Sequence, residues 1–326
     1  VRDLAASHPA IARATQNLFH AYQAARQHSE SLAQRLTEDD HTGIVGASRT
    51  PAEEVSDFVQ RNDNHFPEVE EAAEDLQKLA RLGIGERDLY GAVMHYLKKY
   101  HVETKILTVR EMDGAFRRDD PNTRTLYLSE VLRRGSRNFQ LCHQVALILL
   151  SETFDRLVSV PQLTSEESRR LGRLVLANYF AAATLMPYER FLNAARSERY
   201  DIELLGNRFR TSFEQVCHRL TSLRRPANEG IPFHFVRVDI AGNISKRFSA
   251  SGMRFARYSG ACPLSNVYGA FLTPGIVRTQ VSRLPGGATF FDVARTIKKD
   301  SGRYRARHSL QAINLGCEIE NAKYQV

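Results

Sequence analysis

The stretch FQLCHQVALILL, residues 139–150, decides the fold class of this chain of 326 residues. Apolar side chains stand at most of its positions, so the segment cannot keep a full face in water. Together with the SETF that follows, it is long enough for a helix and predicts a buried helix over residues 139–154. A buried helix of this length indicates the centre of a core, with other elements packed around it.

The same segment carries a metal-binding motif in broken form. Zinc peptidases place H-E-x-x-H on such a helix, where both histidines face the metal and the glutamate acts as general base. In this register the chain has His143, then Gln144, and Leu147 in place of the second histidine. Glutamine cannot take a proton from water, and leucine cannot bind zinc. The motif therefore predicts no metal site and no enzyme, with His143 packed in the core.

Helices and short strands are predicted on both sides of this segment. A first helix begins with a capping box, in which Thr50 is the cap and Glu53 stands three residues later. Two more helices are predicted over residues 69–82 and 86–100, followed by strands over 101–109 and 123–128 that a polar turn RRDDPN separates. After the buried helix, one helix is predicted from its cap at Thr164 to Met186, and two short helices are predicted within 199–223.

The pattern changes after the polar segment PANEG, residues 226–230. Runs such as FHFVRVDI, ISKRFSA, QVSRL and TFFDVA are separated by Gly-containing turns, which is typical of hairpins. We therefore predict an α+β fold, with a mostly helical core followed by a small α+β domain. The predicted limits are 1–42 for a long N-terminal helix that is a candidate for dimerisation, 43–228 for the core, and 229–326 for the α+β domain.

The composition is typical of a globular protein of the cytoplasm. Hydrophobic residues make up 42% of the chain and charged residues 25%, enough for two cores. No run of about eighteen apolar residues occurs, so we expect no contact with a membrane. The four cysteines lie far apart, which favours a reducing cytoplasm over a secreted disulfide framework. Since the first residue is not Met, we expect a piece of a longer protein.

The helical core resembles a known family. Four parts of the core resemble the ImmA/IrrE metallopeptidase-like family. They are the strands before residue 139, the buried helix, the stretch ANYFAAATLMPYERF (residues 177–191) and the stretch FRTSFEQVCHRLTSL (residues 209–223). The resemblance covers residues 105–223. It implies a mostly helical, degenerate zinc-peptidase-like core, because the catalytic positions of the motif are absent.

The C-terminal half extends the resemblance. Three stretches are similar to the short-chain fatty acyl-CoA regulator family: GIPFHFVRVDIAGNISKRFSASG (residues 230–252), CPLSNVYGAF and PGG. The likeness covers residues 43–326. It implies a transcription regulator of propionate catabolism (the methylcitrate cycle) that senses CoA or a short-chain acyl-CoA. It also implies a helix-turn-helix DNA-binding domain, which is not evident here, and a cysteine-rich C-terminal segment beyond this chain.

The net charge of +8 is concentrated in the C-terminal half, which offers contacts for CoA phosphates. With no Walker or G-x-G-x-x-G loop present, the phosphates must rely on side chains. Basic residues beside aromatic ones can hold a phosphate and stack on adenine. The candidates are Lys246 and Arg247 at the end of a predicted strand, Arg257 and Tyr258, and the cluster Lys298, Lys299, Arg303, Tyr304 and Arg305. Ordinary surface charge is the competing interpretation.

A second candidate pocket is the vacated peptidase cleft, which would use His143, Tyr179 and Tyr188; for these three residues, packing in the core is the alternative. Two function classes compete with the sensor: an active metallopeptidase, and a dimerisation or scaffold module without a small-molecule ligand. We also expect a homo-oligomer, dimer or tetramer, formed through the N-terminal helix.

The cysteines raise the question of an iron–sulfur cluster, which the resemblance implies only for the full-length protein. Cys142 and Cys217 stand on predicted helices among apolar neighbours and are interpreted as core residues. Cys262 and Cys317 are predicted in loops and are the better ligand candidates. Two thiolates cannot hold a cluster that usually takes four, so we predict none in this chain.

Overall fold

The computed structural model describes residues 50–79, 89–113, 115–253, 255, 265–284, 286–299 and 309–324. The long helix predicted near the N-terminus lies outside these ranges. Contacts group the described residues from Pro51 onward into one compact unit. Within the described ranges, no helix combines the length and the apolar character needed to cross a membrane.

The first part of the described chain is mainly helical. The helix predicted from the capping box begins at Pro51, a residue suited to the first turn of a helix. The helices are α1 (Pro51–Arg61), α2 (Pro67–Leu79), α3 (Leu89–Lys98), α4 (Arg134–Leu149), α5 (Ser151–Val158), α6 (Glu166–Leu185), α7 (Tyr188–Ser197), α8 (Ile202–Phe209) and α9 (Phe213–Thr221).

A small sheet lies between α3 and α4 in the chain. Its strands are β1 (Glu103–Leu107), β2 (Arg117–Asp120) and β3 (Thr125–Ser129), in the order β1-β3-β2, with β3 parallel to β1 and antiparallel to β2. The prediction of RRDDPN as a turn is wrong for its first four residues, which form β2. Because β2 is an edge strand whose middle residues are exposed, it tolerates polar side chains and lacks an apolar pattern.

The buried helix begins earlier and ends sooner than predicted. The predicted span is divided between α4 and α5, because the chain leaves helical geometry at Leu150. The core side of α4 is fully buried, including Leu141, Cys142 and Ala146. The helix is therefore central, as its apolar content indicated.

The cap of α6 differs from the prediction by one residue. The Ser165 hydroxyl accepts the backbone N–H of Ser168, and the Ser168 side chain in turn accepts the N–H of Ser165. The Thr164 hydroxyl donates instead to the Glu54 carboxylate at 2.6 Å. Ser165 and not Thr164 is therefore the cap, because Glu54 of α1 accepts the hydrogen bond of the Thr164 hydroxyl.

The C-terminal part forms a five-stranded antiparallel sheet. Its elements are β4 (His234–Asp239), β5 (Ile244–Ser249), α10 (Asn266–Leu272), β6 (Arg278–Arg283), β7 (Thr289–Lys299) and β8 (Ser309–Glu318), and the strand order is β5-β4-β8-β7-β6. The strand β8 was not predicted. It lies at the centre of the sheet and is buried along most of its length, so it lacks the polar and apolar alternation of a half-exposed strand.

The central strands of this sheet are covered on both faces. On one, here called the helix-core face, Phe235 and Ile313 pack with residues of α7, α8 and α9. On the other, the α10 face, Val236 and Ala312 pack with Val267 of α10. Because successive side chains of a strand point to opposite faces, the register assigns each residue of the sheet to one of the two.

Candidate functional site

The vacated zinc motif lies where β2 meets α4. In the small sheet Arg117 pairs with Leu128, so both side chains point to the same face. On this side the Arg117 guanidinium contacts Nδ1 of His143, the first motif histidine. His143 is 4% exposed, so the contact is largely shielded from water. Arg117 was not predicted at this position, because RRDD was interpreted as part of a turn.

The contact determines how His143 is protonated. A guanidinium can only donate, so Nδ1 accepts and the proton of the neutral ring lies on Nε2. Burial, and then the positive charge of Arg117, lowers the pKa of His143 to about 3. The ring is therefore neutral near pH 7. Neither nitrogen offers a lone pair to a metal ion, because one accepts a hydrogen bond and the other carries the proton.

The rest of the motif supplies no metal ligand. Gln144 is 5% exposed, and its carboxamide oxygen has no hydrogen-bond partner among the described residues. Leu147 packs against the apolar core. In the described part of the chain, no group of three or more His, Cys, Asp or Glu side chains is placed to hold a metal ion. The residues at this position do not fit zinc.

Tyr179 and Tyr188 lie in a buried polar network that does not include His143. Tyr179 donates to Oε1 of Glu70 at 2.6 Å, and the same oxygen lies 2.5 Å from Nη1 of Arg219. The Arg219 guanidinium also lies over the Tyr188 ring, 5.6 Å from its centroid. Among the described residues, no hydrogen bond joins His143 to either tyrosine. The structure thus brings the two tyrosines together around Arg219.

Opposing effects act on the charges of this network. Burial would raise the pKa of Glu70, but the charge of Arg219 and the hydrogen bonds from Arg219 and Tyr179 lower it below its ordinary value. Burial and the Glu70 charge raise the pKa of Tyr179. Arg219 also donates to the Met186 carbonyl at 2.9 Å and to the Ser222 hydroxyl at 3.0 Å. Such saturation with partners is typical of a structural ion pair.

Two of the candidate phosphate contacts, Lys246 and Arg247, point to opposite faces of the C-terminal sheet, because successive side chains of a strand alternate between its faces. Lys246 and Arg247 lie inside β5, not at the end of a strand as predicted. Lys246 pairs with Arg237 on the helix-core face. Its ammonium lies 3.3 Å from Nε2 of His218 and 3.9 Å from Oε1 of Glu214. Lys246 therefore contributes to packing the sheet on α9.

Arg247 and Lys298 share the α10 face. Arg247 pairs with Val236, and Lys298 pairs with Leu310, two residues along β8 from Ala312. The register separates the two cations by about 14 Å across three strand spacings and about 14 Å along the strands. One phosphate group cannot bridge that separation. The other predicted contacts lie outside the described residues: Arg257, Tyr258, Arg303, Tyr304, Arg305 and the side chain of Lys299.

The three described cysteines are core residues. Cys142 on α4 and Cys217 on α9 are fully buried, as predicted. Cys317 is also fully buried and lies on β8, so its assignment to a loop is wrong. Burial raises the pKa of Cys142 to about 12, which disfavours the thiolate that a metal cluster requires. Cys262 lies outside the described residues.

The α10 face contains a buried polar cluster that sequence analysis missed. Nε2 of His234 lies 2.8 Å from Asp292, and Nδ1 lies 2.7 Å from the Ser251 hydroxyl. Asn314 donates to the same Asp292 oxygen at 2.6 Å. The cluster spans the strands across Gly316, where any Cβ would collide with His234 and Asp292. It binds β4, β7 and β8 together. The one sequence signal was a histidine within the apolar run FHFV.

Two family models match consecutive parts of the chain. Residues 97–221 match the IrrE N-terminal-like domain, and residues 222–326 match the C-terminal domain of the short-chain fatty acyl coenzyme A regulators. The HTH-type transcriptional regulator RamB of Mycobacterium tuberculosis is 37% identical over 323 residues, which is 99% of this chain and 67% of RamB. The chain belongs to the short-chain fatty acyl-CoA regulator family.

Two further relatives of this chain are also named as regulators. A propionyl-CoA carboxylase regulator of Cereibacter sphaeroides is 39% identical, covering 99% of the chain and 67% of the relative. The HTH-type transcriptional regulator PrpR of M. tuberculosis is 37% identical, covering 99% and 65%. A solved structure of an M. tuberculosis transcriptional regulator is 40% identical, with a TM-score of 0.80 over 85% of this chain and 84% of that one. The predicted fold class and family are confirmed.

Proposed function

We propose that this chain is the ligand-sensing core of a transcription regulator of propionate and short-chain fatty acid metabolism (the methylcitrate cycle), and that it binds CoA or a short-chain acyl-CoA. One observation carries the proposal: residues 222–326 match the C-terminal domain of regulators that are named for this ligand class. The names of the relatives, which include a propionyl-CoA carboxylase regulator, support the same metabolic setting.

The chemistry of CoA determines which residues are candidates for binding it. Its phosphates require Arg, Lys or backbone N–H groups, and Arg247 and Lys298 both belong to the α10 face. Because they lie too far apart for a single phosphate, an extended ligand would use them at different points along its length. Arg257, Tyr258, Lys299, Arg303 and Tyr304 are the further candidates. Lys246 is the weakest, since it faces α9.

The regulator acts by binding and not by hydrolysis. A metallopeptidase needs two metal-binding histidines and a general base on one helix. Here Nδ1 of His143 accepts from Arg117, Gln144 cannot serve as a base, and Leu147 cannot bind metal. The peptidase-like part therefore serves as a scaffold. We propose DNA as the partner of the whole protein, through a helix-turn-helix domain outside this chain, and a homo-oligomer as its assembly.

Native mass spectrometry and calorimetry test the proposal together. A retained mass equal to CoA or an acyl-CoA on the purified chain, with saturable heat on adding propionyl-CoA, is the expected result. Free propionate should give no binding in the same micromolar range. If no short-chain acyl-CoA gives heat or shifts the thermal unfolding of the chain, the sensing function is wrong. The alternative, a scaffold module without a small-molecule ligand, would then remain.

A further inference from the structure

The two edges of the C-terminal sheet differ in how they are covered. At the outer side of β5, the Gln60 carboxamide of α1 donates to the Ser249 carbonyl at 2.7 Å and accepts the Ser249 N–H at 3.0 Å. This side chain therefore pairs with β5 as a neighbouring strand would. The other edge is β6, and in the described part of the chain no strand pairs with its outer side. An open strand edge presents backbone N–H and C=O groups to another strand.

Exposed apolar side chains are concentrated along this open edge. Among the described residues, thirteen large hydrophobic side chains are exposed, and five of these lie within residues 272–284. The five are Leu272, Ile276, Val277, Val281 and Leu284. Val281, in the middle of β6, is 60% exposed, and the apolar cluster on the helix-core face extends to β7 but includes no described residue of β6. Such a concentration of apolar surface indicates an interface.

The hairpin between β6 and β7 determines which backbone groups of β6 point outward. The Leu284 N–H donates to the Ala288 carbonyl at 2.8 Å, so the backbone groups of Leu284 point toward β7. This direction alternates along a strand, and the register between β6 and β7 is continuous. The N–H and C=O groups of Thr279, Val281 and Arg283 therefore point outward, away from β7.

This set of outward groups is complementary to a second copy of itself. In an antiparallel pair with a two-fold axis at Val281, Val281 lies opposite its own copy and Thr279 lies opposite Arg283. A shift by one residue would pair outward groups with inward groups, which an antiparallel ladder does not allow. One of the two shifts excluded in this way would set Arg278 opposite Arg283. In the allowed register Arg278 lies opposite Leu284, so no like charges are directly opposed.

We propose that β6 is an interface between two copies of this chain, which joins their five-stranded sheets into one continuous sheet. The proposal rests on the homo-oligomer proposed above and assigns part of its interface. Val281 gains an apolar neighbour at the axis, and the same patch is used by both copies, as in most two-fold dimers. Because two short strands alone bind weakly, this contact adds to the one expected of the N-terminal helix.

Cysteine crosslinking of the full chain tests the β6 interface. Val281→Cys places two thiols beside the axis, with about 5 Å between the Cβ atoms, so a short bis-maleimide can join them. We expect a covalent dimer in denaturing electrophoresis. Leu79→Cys is the matched control, because Leu79 on α2 is also exposed, and the wild-type chain measures the background from its own cysteines. A yield for Val281→Cys no higher than for Leu79→Cys overturns the proposal.

A charge substitution tests the same interface without a crosslinker. Val281→Lys removes the apolar contact and sets two ammonium groups opposite each other at the axis. We expect the dissociation constant of the oligomer, measured by sedimentation, to rise at least tenfold. The control is Ile240→Lys, because Ile240 is 73% exposed but follows β4 and lies away from β6. Circular dichroism checks that both variants are folded. An unchanged constant in Val281→Lys contradicts the proposal.

Sedimentation of the wild-type chain separates this inference from the proposed function. If the wild type is an oligomer and neither Val281 variant behaves as expected, the β6 interface alone is refuted. If the wild type is a monomer at every concentration, the homo-oligomer and the β6 interface are both refuted, and the open edge is left for a strand of another protein. If Val281→Cys forms the covalent dimer but no acyl-CoA gives heat in calorimetry, the sensing function is refuted and the β6 interface is supported.

Discussion

Glu70 and Arg219 form an ion pair that is almost completely withdrawn from water, with side chains 2% and 1% exposed and 2.5 Å between Oε1 and Nη1. The residues stand 149 positions apart and join α2 to α9. Tyr179 brings α6 to the same carboxylate. The pair, together with Tyr179, therefore fixes three helices of the mainly helical part relative to one another.

Removing one partner of this pair should destabilise the chain strongly. Arg219→Met leaves the Glu70 carboxylate buried without its counter-ion, and we expect a loss of about 3–5 kcal/mol in the free energy of unfolding. Urea denaturation measures it. The control is Arg156→Ala, which removes the exposed pair with Glu68 and should cost less than about 1 kcal/mol. Equal losses in the two variants would contradict the structural role of Glu70 and Arg219.

The neutral state of His143 should make stability depend on pH. The folded pKa is lowered to about 3, so the unfolded chain takes up a proton as the pH falls below 6.5 while the folded chain does not. The free energy of unfolding should decrease by up to about 1.4 kcal/mol per pH unit over that range. His143→Gln should remove this part of the slope. His65, whose pKa burial also lowers, contributes in the same direction, and His65→Gln is the comparison.

Comparing urea midpoints near pH 7 and near pH 5 measures this slope for the wild type and both variants. Parallel behaviour of the wild type and His143→Gln would show that the ring does not remain neutral in the folded chain.

The broken motif should leave the chain without zinc or peptidase activity. The expected result is less than one zinc ion per chain by elemental analysis, and no cleavage of a generic peptide substrate. The physical reason is the set of residues present: an imidazole engaged by Arg117, a glutamine in place of the base and an apolar residue in place of the second ligand. Stoichiometric zinc that disappears in His143→Ala would overturn this prediction.

The basic end of the C-terminal domain should carry part of the CoA affinity. We expect Lys298→Ala combined with Arg303→Ala to weaken the binding of propionyl-CoA at least tenfold, because each charge-assisted hydrogen bond to phosphate contributes about 1.5–3 kcal/mol. Lys246→Ala is the matched control, since Lys246 faces α9 and not the α10 face. Calorimetry measures the affinity for propionyl-CoA. An unchanged affinity in the double variant would show that the ligand binds away from this cluster.

The N-terminal segment should control assembly. Deleting residues 1–36 removes the predicted long helix, and we expect sedimentation to show a dimer becoming a monomer. Its apolar face has little else in the sequence to cover it. A dimer that survives the deletion would place the interface elsewhere on the chain.

The sequence by itself determined the order of most helices and strands, the buried position of α4, the loss of the zinc motif and the family. These features depend on local periodicity and on residue identity, which a chain displays without being folded. The exceptions were the helices α7 and α10, the polar edge strand β2 and the central strand β8. Exposure of the middle residues of β2, and burial of β8 on both faces, removed the alternation that predicts a strand.

Only the tertiary structure decided which charges meet. Nothing in the local pattern connects Arg117 with His143, or Glu70 with Arg219, because the partners come from separate elements. The same holds for Lys246 and Lys298, which look equivalent in the sequence but face opposite sides of one sheet. The charge environment of a side chain depends on distances through space, and folding alone sets those distances.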